Sequence, residues 1–186
     1  MIISLKEQEN KKLHMAIAAL GTDKPGLVSN ITQMIYECGC DLEDSRMIAM
    51  SGEFALIIKV SGVWNAVAKL ESSLGSLEHS LNLKVVCKRI GQQQATPRLL
   101  PYAIDVVAMD HPGIVYNLAN FISEHGINIE EMSTSCYSAA HTGTPMFSVH
   151  MKIGIPAQTH IADLREKFID YCDDLNLDAL MEPVKY

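Results

Sequence analysis

Hydrophobic positions change their spacing along the first half of the chain, and each spacing predicts a different element. The run "HMAIAAL" (His14–Leu20) is short, apolar and followed by turn residues, which is typical of a largely buried strand. Apolar residues then recur at helical spacing up to Gly39, and Pro25 suits the first helical position because its missing N–H would be unpaired there. The helical stripe consists of Leu27, Ile31, Met34, Ile35 and Cys38.

The following segments predict a hairpin, a second helix and a closing strand. "SRMIAMSGEFALIIKV" is interpreted as two strands joined around Ser51 and Gly52, and "LKVVCKR" (Leu83–Arg89) as the last strand. The order β-α-β-β-α-β predicts a ferredoxin-like module, an antiparallel four-stranded sheet with both helices on one face. The second helix is indicated by apolar residues spaced alternately three and four positions apart, at Val67, Leu70, Leu74, Leu77 and Leu81.

The same pattern occurs again at a constant offset of 87 residues. Residues 14–43 align with residues 101–130 without a gap, and 11 of the 30 pairs are identical. The second hairpin, "MSTSCYSAAHTGTPMFSVHMKI", has a connection about five residues longer, and "LDALMEPV" (Leu177–Val184) repeats the last strand. The helical stripes of this copy are Ile114, Leu118, Phe121, Ile122 and His125, then Ile161, Leu164, Phe168, Tyr171 and Leu175.

The duplication predicts an α+β protein made of two ferredoxin-like βαββαβ domains in tandem. We expect an N-terminal extension at 1–13, a first domain at 14–90 and a second domain at 102–186. The segment "GQQQATPRLLP" at 91–101 is rich in Gln and Pro and is interpreted as a linker.

Composition and charge exclude several classes of function. No apolar run approaches the roughly 18 residues that a membrane span needs, and the N-terminus lacks the charged-then-apolar order of a secretory signal. The five Cys are scattered and odd in number, which favours reduced thiols and a cytoplasmic location. With a net charge of -7 and only two-residue basic clusters, the chain is not expected to bind nucleic acid directly.

The repeat contains a turn that appears as "TDKPGLVSN" and again as "MDHPGIVYN". Gly26 and Gly113 come just before helices, where backbone N–H groups are unpaired, so a carboxylate could approach the backbone there. In the alternative interpretation, proline starts each helix and glycine only relieves crowding against a neighbouring strand. The tetrapeptide alone leaves both interpretations open.

Sequence motifs for catalysis or metal binding are missing. The chain has no His-x-x-x-His, Cys-x-x-Cys, Gly-rich phosphate loop or Gly-x-Ser-x-Gly elbow, and Cys38-Gly-Cys40 is too tight for a usual zinc pair. His111 and His141 lie on a turn and a predicted loop, with no partner base or nucleophile. We therefore expect no metal, no cofactor and no enzymatic activity, although a ferredoxin-like fold does not exclude a small enzyme.

Placed on this fold, the Asp-x-Pro-Gly turn resembles the ACT domain, a module that senses small molecules. "CGCDLEDSRM" and "HGINIEEMSTS" are similar to the segment that follows the first helix in that family. The resemblance implies a regulator that senses a small amino acid such as glycine and controls a partner transcription regulator of glycine cleavage and one-carbon metabolism, without binding DNA itself. A free-standing regulatory subunit of an amino-acid metabolic enzyme is the alternative.

The resemblance also implies the site residues. The ligand's carboxylate would meet N–H groups near Gly113 and Ile114, while Asp110 and Asn128 hold its ammonium group. In the first copy Asp41 replaces the amide of Asn128, which makes the second copy the better candidate. Ligands in this family lie between neighbouring domains, so either the two copies or a homodimer would complete the pocket. The implied residues are Asp110, His111, Pro112, Gly113, Ile114, Asn128 and Ile129, with Asp23, Gly26, Leu27 and Asp41 in the first copy.

Overall fold

A computed structural model describes residues 12–91 and 98–184. The chain divides into two units, with the boundary between Gln94 and Ala95, and each unit has its own sheet and core. The first unit contains β1 (Leu13–Thr22), α1 (Leu27–Glu37), β2 (Asp41–Met50), β3 (Glu53–Gly62), α2 (Trp64–Leu81) and β4 (Lys84–Ile90). The second contains β5 (Leu99–Met109), α3 (Ile114–Glu124), β6 (Asn128–Ser138), β7 (Pro145–Pro156), α4 (Ile161–Asp174) and β8 (Asp178–Pro183).

Both sheets are antiparallel and have the same topology. The strand orders are β2-β3-β1-β4 and β6-β7-β5-β8, so the first and third strands of each unit lie at the centre. This is the predicted ferredoxin-like α+β fold, formed twice. β5 begins at Leu99, inside the segment expected as a linker, because Leu99 and Leu100 pair with Pro156 and Ile155 at the end of β7.

Each core lies between one face of the sheet and the two helices. Alternate residues of β1, such as Met15 and Ile17, are buried against the apolar stripes of α1 and α2, and the intervening residues point to the open face of the sheet. In the second unit, Ile104 on β5 and Phe168 on α4 are fully buried in the same way. The strand predicted as largely buried is buried on one face only, because Ala18 and Leu20 are exposed on the other. The helical stripes agree with the buried faces of the helices, except that His125 is exposed at the end of α3.

The helices that follow the Asp-x-Pro-Gly turns begin later than the sequence predicts. Gly26 and Gly113 have φ values of 93° and 100°, in the left-handed region, so the right-handed helices start at Leu27 and Ile114. Pro25 thus lies before the helix, in the turn, and does not occupy its first position. A Cβ added at Gly113 would meet only the Asn117 side-chain nitrogen, at 3.8 Å. The backbone conformation, not crowding, requires glycine here.

The two hairpins differ in the length of their connections. Ser51 and Gly52 join β2 to β3 in two residues that both have positive φ values (52° and 83°), as in a type I′ turn. Residues 139–144 join β6 to β7, so this connection is four residues longer, against about five predicted. His141 lies in this loop, as the sequence predicts.

Each edge strand next to a hairpin carries one irregularity that the sequence analysis did not predict. The pairing of β2 with β3 shifts between Leu42 and Asp44, and that of β6 with β7 shifts between Ile129 and Glu131. The extra residues are Glu43 and Glu130, which are also identical in the repeat. A bulge at the same place in both sheets turns these two carboxylates onto the open face.

Candidate functional site

The turn between β5 and α3 forms one wall of an open depression of about 450 Å³. Asp110 begins the turn, and its backbone N–H donates to the Pro145 carbonyl at 3.0 Å, which holds the turn against the start of β7. The depression is lined by Asp110, His111, Pro112, Gly113, Ile114, Val115, Tyr116 and Phe147. Five of the predicted site residues therefore lie together in one place.

The floor of the depression is the N-terminus of α3. Gly113 is the N-cap residue, and it makes no side-chain capping hydrogen bond within the part of the chain that is described. No acidic residue occupies the first turn of this helix. The first intrahelical bond runs from Asn117 N–H to the Gly113 carbonyl at 2.9 Å, so the N–H groups before it point out of the helix end. Such N–H groups, with the helix dipole behind them, favour an anion.

The charged and apolar walls of the depression are chemically distinct. Asp110 is exposed beside the helix end and contributes a carboxylate that can accept hydrogen bonds from an ammonium group. His111 is also exposed, with Nδ1 3.1 Å from the Pro112 carbonyl oxygen. Phe147 and Tyr116 provide the apolar surface. The arrangement presents a positive helix end and a negative side chain within one small space.

Asn128 and Ile129 do not belong to this depression. Asn128 is the first residue of β6 and pairs with Gly154, whereas Asp110 is bonded to Pro145, nine residues earlier on β7. At about 3.3 Å per residue this separation is about 30 Å. A small amino acid held by Asp110 therefore cannot also contact Asn128 of the same unit. That both residues hold the ligand stays a prediction, which requires a pocket completed by a further domain.

The first unit repeats this arrangement. Asp23 N–H donates to the Gly52 carbonyl at 2.9 Å, and Asp41 pairs with Ser61 at the opposite end of β3. Gly26 and Leu27 form the corresponding helix start, where the Leu27 N–H lies 3.5 Å from the Lys24 carbonyl oxygen. Asp41 is engaged by the Lys12 ammonium at 3.0 Å. The candidate residues of this copy are thus divided between two ends of the sheet in the same way.

Three residues of the depression were not predicted from the sequence. Val115 and Tyr116 follow directly after the turn, and Tyr116 is 72% exposed although it is a large aromatic residue. Its position off the apolar stripe of α3 was a signal for a surface role. Phe147 comes from β7, and no local motif connects it with the turn.

A larger hollow of about 660 Å³ lies elsewhere, near the C-terminal end of α2. It is lined by residues such as Gly75, Glu78 and His79, and none of the predicted site residues contributes to it. Volume alone does not distinguish a ligand site from a surface groove. A ligand site also needs a few polar groups that are placed to orient the bound ligand. The combination of a free helix end and an opposing carboxylate favours the smaller depression.

Metal clusters and membrane spans are both missing from residues 12–91 and 98–184. No group of three or more His, Cys, Asp or Glu side chains is placed to hold a metal ion in these ranges. No helix there is long and apolar enough to cross a membrane.

Comparison with known proteins agrees with the fold and the turn. A family model for the ACT domain matches residues 14–88. The crystal structure of an unknown protein from Galdieria sulphuraria has a TM-score of 0.81 to this chain at 22% identity, over 94% of this chain and 100% of that one. The first unit therefore matches the ACT domain, and the second unit repeats its topology and its Asp-x-Pro-Gly turn.

Relatives with curated descriptions identify the family more closely. The glycine cleavage system transcriptional repressors of Escherichia coli (strain K12) and Shigella flexneri are each 30% identical to this chain over 173 residues. The alignment covers 93% of this chain and 91% of each relative. The chain belongs to the family of the glycine cleavage system transcriptional repressor.

Proposed function

We propose that this protein is a cytoplasmic sensor of a small, glycine-like amino acid that controls a partner transcription regulator of glycine cleavage without binding DNA itself. The observation that carries the proposal is that Asp110 and the N-terminus of α3 line the same depression. A positive helix end and a carboxylate that line one depression are complementary to the two charged ends of an α-amino acid. Kinship to the repressor family supports the regulatory role, and the net charge of -7 argues against a DNA contact.

In the proposed complex the ligand's carboxylate accepts hydrogen bonds from N–H groups at Gly113 and Ile114, and its ammonium group donates to Asp110. Charge-assisted hydrogen bonds of this kind are shorter and stronger than neutral ones. Gly113 leaves the backbone accessible, since it has no side chain over the helix end. Phe147 and Tyr116 border the position of the ligand side chain and favour small residues there.

The role proposed for Asn128 follows from its distance to Asp110. Because one unit places these residues at opposite ends of its sheet, Asn128 would contact a ligand only by completing the turn of the other unit or of another protomer. A homodimer that shares ligands in this manner is compatible with a depression that is open on one side. In the absence of such sharing, the turn alone binds the ligand.

Ligand binding would act on a partner protein by shifting the population of two domain arrangements. A ligand shifts such an equilibrium only by its difference in affinity for the two states, and couplings of about 1 to 3 kcal/mol are typical. Trp64, the single tryptophan, is 62% exposed at the start of α2 and is a suitable anchor for a protein partner. Capture of a transcription regulator on the immobilised full chain supports this function, whereas capture of a metabolic enzyme instead supports the alternative of a regulatory subunit.

Calorimetric titration of the full chain with glycine, serine and other amino acids tests the site. We expect saturable binding of a small amino acid and an affinity lower by roughly 10-fold or more in Asp110→Ala, because a charged hydrogen bond contributes about 1.5 to 3 kcal/mol. Asp178→Ala, which removes an exposed carboxylate at the start of β8, is the matched control and should bind as the wild type does.

Unchanged affinity in Asp110→Ala would show that the turn is not the site. Asn128→Ala is titrated in parallel to examine the other end of the sheet. Loss of binding in both variants indicates a ligand shared between protomers, whereas loss in Asp110→Ala alone restricts the site to the turn.

A further inference from the structure

The open faces of the two sheets, which do not contact the helices, have diverged in character. On the first sheet, the register aligns Arg46, Ile57, Ala18 and Val86 in one row and Ile48, Ala55, Leu20 and Lys84 in the next. The equivalent positions of the second sheet are His150, Asp105 and Leu180 in one row, and Ser148 and Val107 in the next. The first open face thus has an apolar patch, bordered on its edge strands by Arg46 and Lys84, where the second open face is largely polar.

The apolar patch consists of side chains that a folded, isolated unit would leave in water. Ile57 is 53% exposed and Val86 is 69% exposed, and Leu20 and Ile48 extend the same surface. On the second sheet, the corresponding row carries a hydrogen-bonded pair, in which His150 Nδ1 lies 2.7 Å from Asp105 Oδ1. Contiguous exposed apolar surface of this kind marks an interaction site.

We propose that the open face of the first sheet is a homodimer interface, formed face to face with the same sheet of a second copy of this chain. This proposal does not rest on the amino-acid site or on the regulatory function. It goes beyond them because it assigns a surface that neither uses.

Self-complementarity of the side chains favours a second copy as the occupant. In an aligned packing of two sheets related by a two-fold axis parallel to the strands, β3 of one copy lies over β1 of the other. Ile57 then faces Ala18 of the partner subunit, and Leu20 faces Ala55 of the partner subunit. These two large side chains each meet an alanine, so the centre of the two faces can interdigitate without strain. At the edges, Val86 lies against the aliphatic stem of Arg46 of the partner subunit, and Ile48 against that of Lys84 of the partner subunit.

Charge at the margins agrees with the same arrangement. Asp44 on β2 and Lys88 on β4 lie at opposite edges of a single row that also contains Lys59 and Ala16. The two-fold axis exchanges β2 with β4, so each Asp44 faces Lys88 of the partner subunit. A two-fold axis perpendicular to the strands and centred on Ile57 would place Lys84 over the partner subunit's Lys88, with like charges in contact. The first arrangement is therefore preferred.

The size of the face indicates a weak dimer. Four strands spaced at about 4.8 Å, over about six residues of length, give a footprint of roughly 20 by 20 Å, or about 400 Å². A standard interface buries about 800 Å² on each partner. We expect a dissociation constant in the micromolar range, so that the chain is a monomer at high dilution.

Sedimentation equilibrium of the full chain, without added amino acid, tests the interface. The weight-average mass should rise from 20.5 kDa towards twice that value as the concentration increases from about 1 µM to several hundred µM. Ile57→Glu and Val86→Glu should each weaken the dimer by roughly 10-fold or more, because a charge would be buried between two sheets. Leu180→Glu, at the equivalent place on the second sheet and 53% exposed, is the matched control and should dimerise as the wild type does.

A charge exchange tests the orientation of the two copies. Asp44→Lys and Lys88→Asp should each weaken the dimer, and the double variant should restore it. A wild-type chain that remains monomeric at every concentration would overturn the proposal. A dimer that survives both Ile57→Glu and Val86→Glu would overturn it as well, because it must use another surface. Since both positions are exposed, thermal melting should show that these variants fold.

Discussion

At the scale of single residues, the most constrained positions are the glycines before α1 and α3. Gly26 and Gly113 adopt φ values near 100° at the same place in both repeats, a conformation that costs other residues free energy. The space around them is open, so the constraint is on the backbone and not on the volume. The same absence of a side chain leaves the helix end accessible to a ligand.

Replacement of Gly26 by alanine should destabilise the first unit by about 1 to 2 kcal/mol, since alanine must adopt a left-handed conformation there. Gly75→Ala is the matched control, because Gly75 lies in the middle of α2, where a new Cβ would meet no atom within 4 Å. This control should stabilise the same unit by about 0.5 to 1 kcal/mol. Urea unfolding followed by Trp64 fluorescence reports on this unit. Equal effects of the two substitutions would contradict the prediction.

At the scale of elements, the bulges in β2 and β6 decide where one carboxylate of each repeat points. In β2 the bulge places Glu43 beside Lys59 and His14, with Lys59 Nζ 2.9 Å from Glu43 Oε2. The Lys59 ammonium lowers the pKa of the Glu43 carboxyl to about 2. In the second unit Pro101 stands where the first has His14, so Glu130 on β6 has no imidazole beside it at that position.

The Glu43 carboxylate should stabilise the first unit at neutral pH but not in acid. Its pKa is lower in the folded chain than the usual value of about 4.3, so the stabilisation is present above that pH and is lost as the pH falls towards 2. Glu43→Gln should therefore lower the urea midpoint at pH 7 and have less effect at pH 3, as measured by Trp64 fluorescence. Glu53→Gln, at an exposed carboxylate of β3, is the control, and an identical pH profile in both variants would refute the assignment.

At the scale of the whole molecule, each unit has a complete core of its own. The buried residues form two clusters, and each cluster draws only on elements of one unit. The first helix and the third strand of each unit contribute to the same cluster, as a module that folds alone requires. The duplication has thus produced two units that do not share a hydrophobic core.

We expect residues 95–186, produced alone, to fold cooperatively. The buried side chains of this unit, including Phe168 and Ile153, pack against partners within it, so separation removes no core contact of the described residues. The measurement is circular dichroism with thermal melting. The spectra of fragments 1–94 and 95–186 should add up to that of the full chain. A fragment without a cooperative transition would contradict this prediction.

Sequence reasoning predicted the element order because strand and helix periods are distinct and appear twice. It underestimated β1, which continues to Thr22 because that residue pairs with Glu53, a polar position beyond the apolar run. It missed both bulges, since one extra residue only looks like a break in the alternation. The separation of Asp110 from Asn128 within one unit could also have been predicted. The predicted topology already makes β5 and β6 run in the same direction, so the end of one and the start of the other lie apart.

The apolar patch of the first open face belongs to the half of the chain that a ribosome makes first. Domains fold as units during synthesis, so a first unit that folds alone would complete and expose this sheet while the second half is still being translated. Neighbouring ribosomes on one message would hold several such faces close together, at a local concentration far above that of the free protein. Pairing of nascent chains would then precede their release, and the polar second sheet would emerge from the ribosome on chains that are already paired.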